Sequence, residues 1–279
     1  MPTDGDSPRP WARYLTPTAV HQRLGLTCLC AGRQSGPAHC PPRVLDSHAA
    51  VLVLSGPGRL ECGRPGTTYE LTPPTLFWLF PGEPHTYGPS RGGWHEVWTL
   101  FDGSAVAAYE ELGYLSRTEP VLRLDDSTAV RHTMDRLLEA CHGHRPGVEV
   151  TAAHLVHELI LTAHHSRRDP GGATDDAVMA TLREHACTAV SVGEIAARLG
   201  LSLSALRRVV HRAGGCSPKG YIVQVRLNHA KALLAGSELT VAEIAREVGH
   251  HDPAYFTRTF TRHTGMPPGE FRRQQRRVH

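Results

Sequence analysis

Residues 240–260, TVAEIAREVGHHDPAYFTRTF, repeat the pattern of residues 191–210, SVGEIAARLGLSLSALRRVV. The offset is 49 residues before the turn and 50 after it, so the second turn holds one extra residue. Ser191 and Thr240 read as N-caps. Each is followed three positions on by a glutamate, Glu194 or Glu243, which makes a capping box. Val192, Ile195, Ala196 and Leu199 fall at i, i+3, i+4 and i+7, as do Val241, Ile244, Ala245 and Val248. Both short helices then meet a glycine, Gly200 or Gly249, suited to a left-handed C-terminal turn. Ser202 caps the next helix in the first copy; Asp252, with Pro253 at the first helical position, does so in the second. Leu206, Arg208 and Val210 match Phe256, Arg258 and Phe260, and Gly215, Pro218 and Tyr221 match Gly265, Pro268 and Phe271. Helix, tight turn, helix is the helix-turn-helix unit. A single copy would equally fit a generic helical hairpin; two copies agreeing in caps, core and turn argue against that.

The segment between the copies explains their spacing. Ser217 caps and Pro218 starts a helix running to about Leu234, with Leu227, Ala230 and Leu234 on one face. Its roughly 18 residues span about 27 Å, near but below the roughly 34 Å between successive major grooves on one face of DNA. Two recognition helices on a rigid connector therefore predict a double-stranded DNA partner. The outer face of the first offers Ser204, Arg207, Arg208 and His211; that of the second offers Ala254, Thr257, Arg258 and Arg262. Over residues 178–275, EIAARLG, SPKGYIVQVRLNHAKALL and VAEIAREVGHHDPAYFTRTFTRHTGMPPGEFR closely resemble the signature of the AraC/XylS family of transcription regulators. The resemblance implies base contacts from Ser204, Arg207, Arg208, Ala254, Thr257 and Arg258. An arginine fork can bond guanine O6 and N7 together; a phosphate contact or a salt bridge is the alternative for each. Arg272, Arg273, Arg276 and Arg277 form a basic run that reads either as phosphate contacts or as a solvated tail.

Between Val51 and Phe101 the chain reads as short strands between turns: VLVL, RLEC, TTYEL, TLFWLF and WHEVWTLF, separated by Gly and Pro. This predicts a small sandwich or barrel, with Trp94, Glu96, Trp98 and Leu100 sharing one face of the last strand. After Gly103 the pattern turns helical. Val130, Met134, Leu137, Leu138 and Cys141 make one stripe, and Ala153, Val156, Ile160 and Ala163 another. These helices read as a cover for the barrel or as a dimer contact. Residues 23–103, through GLT (25–27), Arg43, GPG, YELTPPTLFWLFPGEPHTYG and WHEVWTLF, resemble the cupin-like effector domain of the arabinose-responsive branch of the same family. That resemblance implies a sugar inside the barrel, contacted by Thr27, Arg43, Tyr87 and Trp98, under an N-terminal arm. The sequence departs from the branch twice. Glu96 stands where the arabinose responders have a pocket histidine, and Pro74 replaces a turn glycine. Glu96 would either accept from a ligand hydroxyl or pair with Arg43; Trp98 has the alternative of a core role.

The architecture expected is α+β. Residues 1–22 form an arm, 23–103 a cupin-like barrel, 104–165 a helical dimerisation region, 166–176 a linker, and 177–279 an all-α domain with units at 191–213 and 240–263. Charge agrees with this division. From Ala177 onward there are 15 Lys/Arg against 7 Asp/Glu, whereas the rest holds 15 basic and 20 acidic residues, as expected for a nucleic-acid-binding domain on a separate partner domain. No apolar run approaches the roughly 20 residues of a membrane span, and a polar, proline-rich start predicts a cytoplasmic protein. The seven scattered cysteines show no paired zinc or redox half-sites. FPGEPH is similar to the second motif of metal-binding cupins, and His39, His48, His85 and His95 lie in this domain. The first motif is missing and His95 should point away from Glu96, so neither metal nor cofactor is expected. A metal-dependent cupin enzyme fused to a DNA-binding module is the alternative. An alkyl-transfer repair protein is disfavoured, because its short Pro-Cys-His-Arg pattern is absent. The expectation is a ligand-responsive homodimeric transcription regulator that senses a sugar-like effector, with RNA polymerase as a further possible partner.

Overall fold

A computed structural model describes residues 10–124, 126–143, 146–167 and 175–276. The chain divides into two compact units, Met1–Pro170 and Gly171–His279. The first unit contains β1 (Trp11–Tyr14), α1 (Ala19–Gln22), β2 (Thr27–Gly36), β3 (Cys40–Val44), β4 (His48–Ser55), β5 (Gly58–Cys62) and β6 (Thr67–Leu71). It continues with β7 (Thr75–Leu79), β8 (Pro84–Pro89), β9 (Trp94–Asp102), α2 (Val106–Glu111), β10 (Val121–Arg123), α3 (Thr128–His142) and α4 (Val148–His165).

These strands make a six-stranded sheet, β1-β2-β9-β4-β7-β10, and a four-stranded sheet, β3-β8-β5-β6. Of the sandwich or barrel expected, the described strands form two separate hydrogen-bonded sheets, with no closed barrel among them. Alternation explains how one sheet serves two cores. Ala49, Val51 and Val53 of β4 and Phe77 and Leu79 of β7 meet Leu60, Leu71 and Tyr87 of the smaller sheet. The intervening Ala50, Leu52, Leu76 and Trp78 face the other way, onto Val130, Met134, Leu137 and Cys141 of α3 and Leu155, Val156 and Leu159 of α4. Both helical stripes read from the sequence are therefore buried within this unit, as a cover on the six-stranded sheet. The described part of the arm is an edge strand, β1 pairing antiparallel with β2. Strand β10, too short for any periodicity, pairs with β7.

The second unit contains α5 (Asp175–His185), α6 (Val192–Arg198), α7 (Leu203–Gly214), α8 (Pro218–Gly236), α9 (Val241–Glu247), α10 (Pro253–Thr264) and α11 (Pro268–Arg276). Both capping boxes form. Ser191 accepts from the Glu194 amide at 3.2 Å and Thr240 from the Glu243 amide at 3.2 Å, while each glutamate returns a carboxylate to the cap amide at 2.7 Å. Gly200 and Gly249 turn left-handed at φ 67° and 77°, which a side chain would resist. Two cores result. Val178 and Leu182 of α5 join Ile195, Ala196, Leu206 and Val210. Leu227, Ala230 and Leu234 of α8 join Ile244, Ala245, Val248, Phe256 and Phe260. Arg212 clamps α7 to α5 through two bonds to the Asp175 carboxylate, at 2.6 and 2.5 Å. Arg226 of α8 donates to the Ala186, Gly249 and Thr188 carbonyls at 2.6, 3.0 and 3.4 Å, fixing the connector to the second turn.

Candidate functional site

Between the two sheets lies a cavity of about 230 Å³. Arg43, Tyr87, Glu96 and Trp98 line it, with Ala49, Val51 and Leu79 as an apolar floor. The register brings them together. Glu96 and Trp98 follow one another on one face of β9, opposite Gln34 and Gly32 of β2; Arg43 pairs with His85, and Cys40 with Tyr87, across β3 and β8. Gly32 makes room for the indole. A Cβ there would lie 2.7 Å from the Trp98 ring and 2.6 Å from the Trp11 carbonyl oxygen, so no larger residue fits without displacing one of them.

Glu96 is only 3% exposed, and its Oε2 has no hydrogen-bond partner. Burial pushes its carboxyl up to about 7, against a smaller lowering by Arg43. Arg43 does not close an ion pair on it; its Nε donates to His85 Nε2 at 3.4 Å. His85 Nδ1 in turn reaches the Glu83 carbonyl at 3.2 Å. Burial, with a smaller contribution from Arg43, lowers the His85 pKa, which suits a neutral ring accepting at Nε2. Tyr87 is buried against Phe77, ring centroids 5.2 Å apart, and desolvation raises its phenol well above the usual value. The cavity therefore combines one acceptor of variable charge with a neutral hydroxyl donor, an exposed guanidinium and an indole face.

Thr27 stands apart from these residues. It pairs with Asp102, beyond Leu100, the last lining residue of β9, and its hydroxyl donates to the Asp102 carbonyl at 3.1 Å. Tyr14, Gln34 and Cys40 also line the cavity and were not singled out in the sequence; His39, named there only among possible metal ligands, lines it too. Gln34 could have been found only from the β2–β9 register, Tyr14 only from knowing that β1 folds back. The four histidines disperse. His48 sits against Phe101 and reaches Glu110 at 3.3 Å, His85 serves Arg43, His39 lies by Gly88, and His95 is outside the cavity lining. Among the described residues, no group of three or more His, Cys, Asp or Glu could hold a metal ion.

In the second unit, α7 buries Leu206 and Val210 and exposes Ser204, Arg207, Arg208 and His211. Helix α10 buries Phe256, Thr259 and Phe260; Ala254, Arg258 and Arg262 are exposed and Thr257 is half-buried. Arg207 and Arg208 form no ion pair among the described residues, whereas Arg258 lies 3.9 Å from Asp252. Tyr255, 52% exposed, adds an aromatic ring one turn before Arg258; its spacing of three and seven from Arg258 and Arg262 was the available signal. Leu203 is exposed at the start of α7. In the basic run, Arg272 donates to the Leu239 carbonyl and Arg273 is exposed. Arg277 lies outside the described residues.

Comparison with known proteins follows the same division. A family model described as an AraC-like ligand binding domain matches residues 25–160, and one described as a helix-turn-helix domain matches residues 195–274. The chain is 28% identical over 237 residues to the MmsAB operon regulatory protein of Pseudomonas aeruginosa, covering 83% of this chain and 76% of that protein. It is 25% identical over 245 residues to the lactose operon transcription activator of Staphylococcus xylosus, covering 82% and 85%. Over 112 residues, 40% of this chain and 39% of the relative, it is 32% identical to the transcriptional activator RhaR of Yersinia pseudotuberculosis. The fold and its two sites define a ligand-responsive, DNA-binding transcription regulator. The chain belongs to the AraC/XylS family.

Proposed function

We propose that this regulator senses a sugar or sugar-like molecule in the cavity between its two sheets and controls carbohydrate-related genes. The observation that carries this reading is the convergence of Arg43, Tyr87, Glu96 and Trp98 on one cavity. Hydroxyls would bond to the polar groups and C–H surface would stack on the indole. The volume suits a small effector, and the relative from Staphylococcus xylosus regulates a lactose operon. The chain acts by binding, not catalysis. The effector shifts the balance between two states by binding one of them better.

On the DNA side, Arg207 and Arg208 read bases, joined by Ser204, His211, Ala254, Thr257, Arg258 and Arg262 at base edges or phosphates. The protein works in the cytoplasm as a homodimer, and RNA polymerase is a further partner. Val150 and Leu161 support dimerisation: both are exposed on α4, eleven residues apart and so on one helical face. Among the described residues no helix is long and apolar enough to cross a membrane.

Thermal unfolding against a panel of pentoses, hexoses and sugar acids tests the effector reading. A ligand at a hundred times its Kd should stabilise the fold by about 2.7 kcal/mol, and Arg43→Ala or Trp98→Ala should remove the shift. A panel without any shift would reject a sugar sensor.

A further inference from the structure

The cavity holds a buried acceptor that no described residue satisfies. Glu96 Oε2 lacks a hydrogen-bond partner, and Arg43, the cation nearest in the cavity lining, is exposed and directed to His85. A carboxylate removed from water is costly unless a counter-charge or a proton reaches it. Burial, partly offset by Arg43, raises the Glu96 carboxyl to about 7, so the site disfavours a carboxylate charge that nothing compensates. A ligand hydroxyl would donate one hydrogen bond to Glu96 but bring no charge. An ammonium brings both the donors and the missing counter-ion, and charge-assisted bonds of this kind are roughly twice as strong as neutral ones.

The surrounding rings point the same way. Trp98 lies two residues along β9 on the face of Glu96, and Tyr87 lines the same space from the opposite sheet. Aromatic faces attract cations, indole most strongly. Arg43 on β3 and Gln34, opposite Glu96 on β2, remain for hydroxyl oxygens.

We infer that the group seated against Glu96 is an amine, so that the effector is an amino sugar: a small polyhydroxylated molecule bearing an ammonium. This inference rests on the reading of the cavity as a sugar site and names the class of sugar.

The test is titration calorimetry on the full-length protein near pH 7 with matched sets: glucose, glucosamine and N-acetylglucosamine, and galactose, galactosamine and N-acetylgalactosamine. In at least one set the free amine should bind about tenfold or more tightly than both its neutral parent and its uncharged N-acetyl form. Glu96→Gln should bring the three affinities together, and Glu96→Asp, which keeps the charge, should retain the preference. The unfolding temperature of each variant establishes that it is folded. Equal or tighter binding of the neutral parent would overturn the amine and leave the sugar reading standing. Persistence of the preference in folded Glu96→Gln would also overturn it. Binding by no member of either set would overturn the amine, and the unfolding panel would then decide the sugar reading separately.

Discussion

The two helix-turn-helix units share their backbone devices and differ in almost everything those devices hold. Each has a reciprocal capping box, a left-handed glycine at the turn and an N-cap on the second helix. The first core is aliphatic and borrows Val178 and Leu182 from α5. The second is aromatic: the rings of Phe256 and Phe260 lie 5.7 Å apart, and Phe260 meets Phe271 edge-on at 5.6 Å. The outer faces diverge as well. On α7, Arg207 and Arg208 stand out unpaired among the described residues. On α10, Arg258 leans toward Asp252, and the Thr257 hydroxyl bonds back to the Pro253 carbonyl at 2.9 Å. Capping and turn chemistry set where a recognition helix begins; they leave its contents free to change.

The largest effect should come from the cores. Phe260→Ala should destabilise the second unit by about 3–5 kcal/mol, the matched Val210→Ala the first by about 2 kcal/mol, both read from urea unfolding. Equal losses would mean that the aromatic core is no better packed than the aliphatic one. Next come the DNA contacts. Arg207→Ala and Arg208→Ala should each weaken operator binding by about 1–3 kcal/mol and relax specificity at one base pair, measured on operator and random DNA. Equal weakening on both DNAs would reduce them to phosphate anchors. Arg258→Ala should cost less, because the Asp252 contact must first be given up. Asp252→Ser, which keeps a capping oxygen, should raise affinity by releasing that arginine.

Smaller still are the caps. Ser191→Ala and Thr240→Ala should each cost about 1 kcal/mol, and nearly the same amount, since their geometries agree. The smallest effect is in acid. Bonds from the Ser191 amide and hydroxyl hold Glu194 below its ordinary pKa, and bonds from the Thr240 hydroxyl and amide do so for Glu243. A lowered carboxylate pKa contributes stability above its unfolded value and loses it as pH falls through the folded value. The unfolding temperatures of Glu194→Gln and Glu243→Gln should therefore lie below wild type at neutral pH and converge with it in acid.

The helix-turn-helix units were legible almost residue by residue because their signals are local: a cap, a glutamate three positions on, a 3.6-residue stripe and a glycine. The sandwich was legible in five of its strands, VLVL, RLEC and TTYEL among them, and not in the rest. TLFWLF and WHEVWTLF announced themselves, whereas β2, with Gly32, Arg33 and Gln34, and β8, bounded by prolines, owe their pairing to distant partners. The choice between sandwich and barrel was left open for the same reason: whether two edges join depends on long-range register, which periodicity does not carry. The helical stripes were legible, but not which surface they cover. Four of the five expected effector residues meet in one cavity: Glu96 and Trp98 through the alternation of β9, Arg43 and Tyr87 through the pairing of β3 with β8. Thr27 falls beyond the end of the lining, a distance no local pattern records.

The separate cores of the second unit bear on how such a regulator acquires new binding sites. Neither recognition helix draws its buried residues from the other's core. A substitution that retunes one half-site, or that must be accommodated by repacking beneath it, leaves the fit of the other intact. New operators can then be reached one half at a time, with partial function kept at each step.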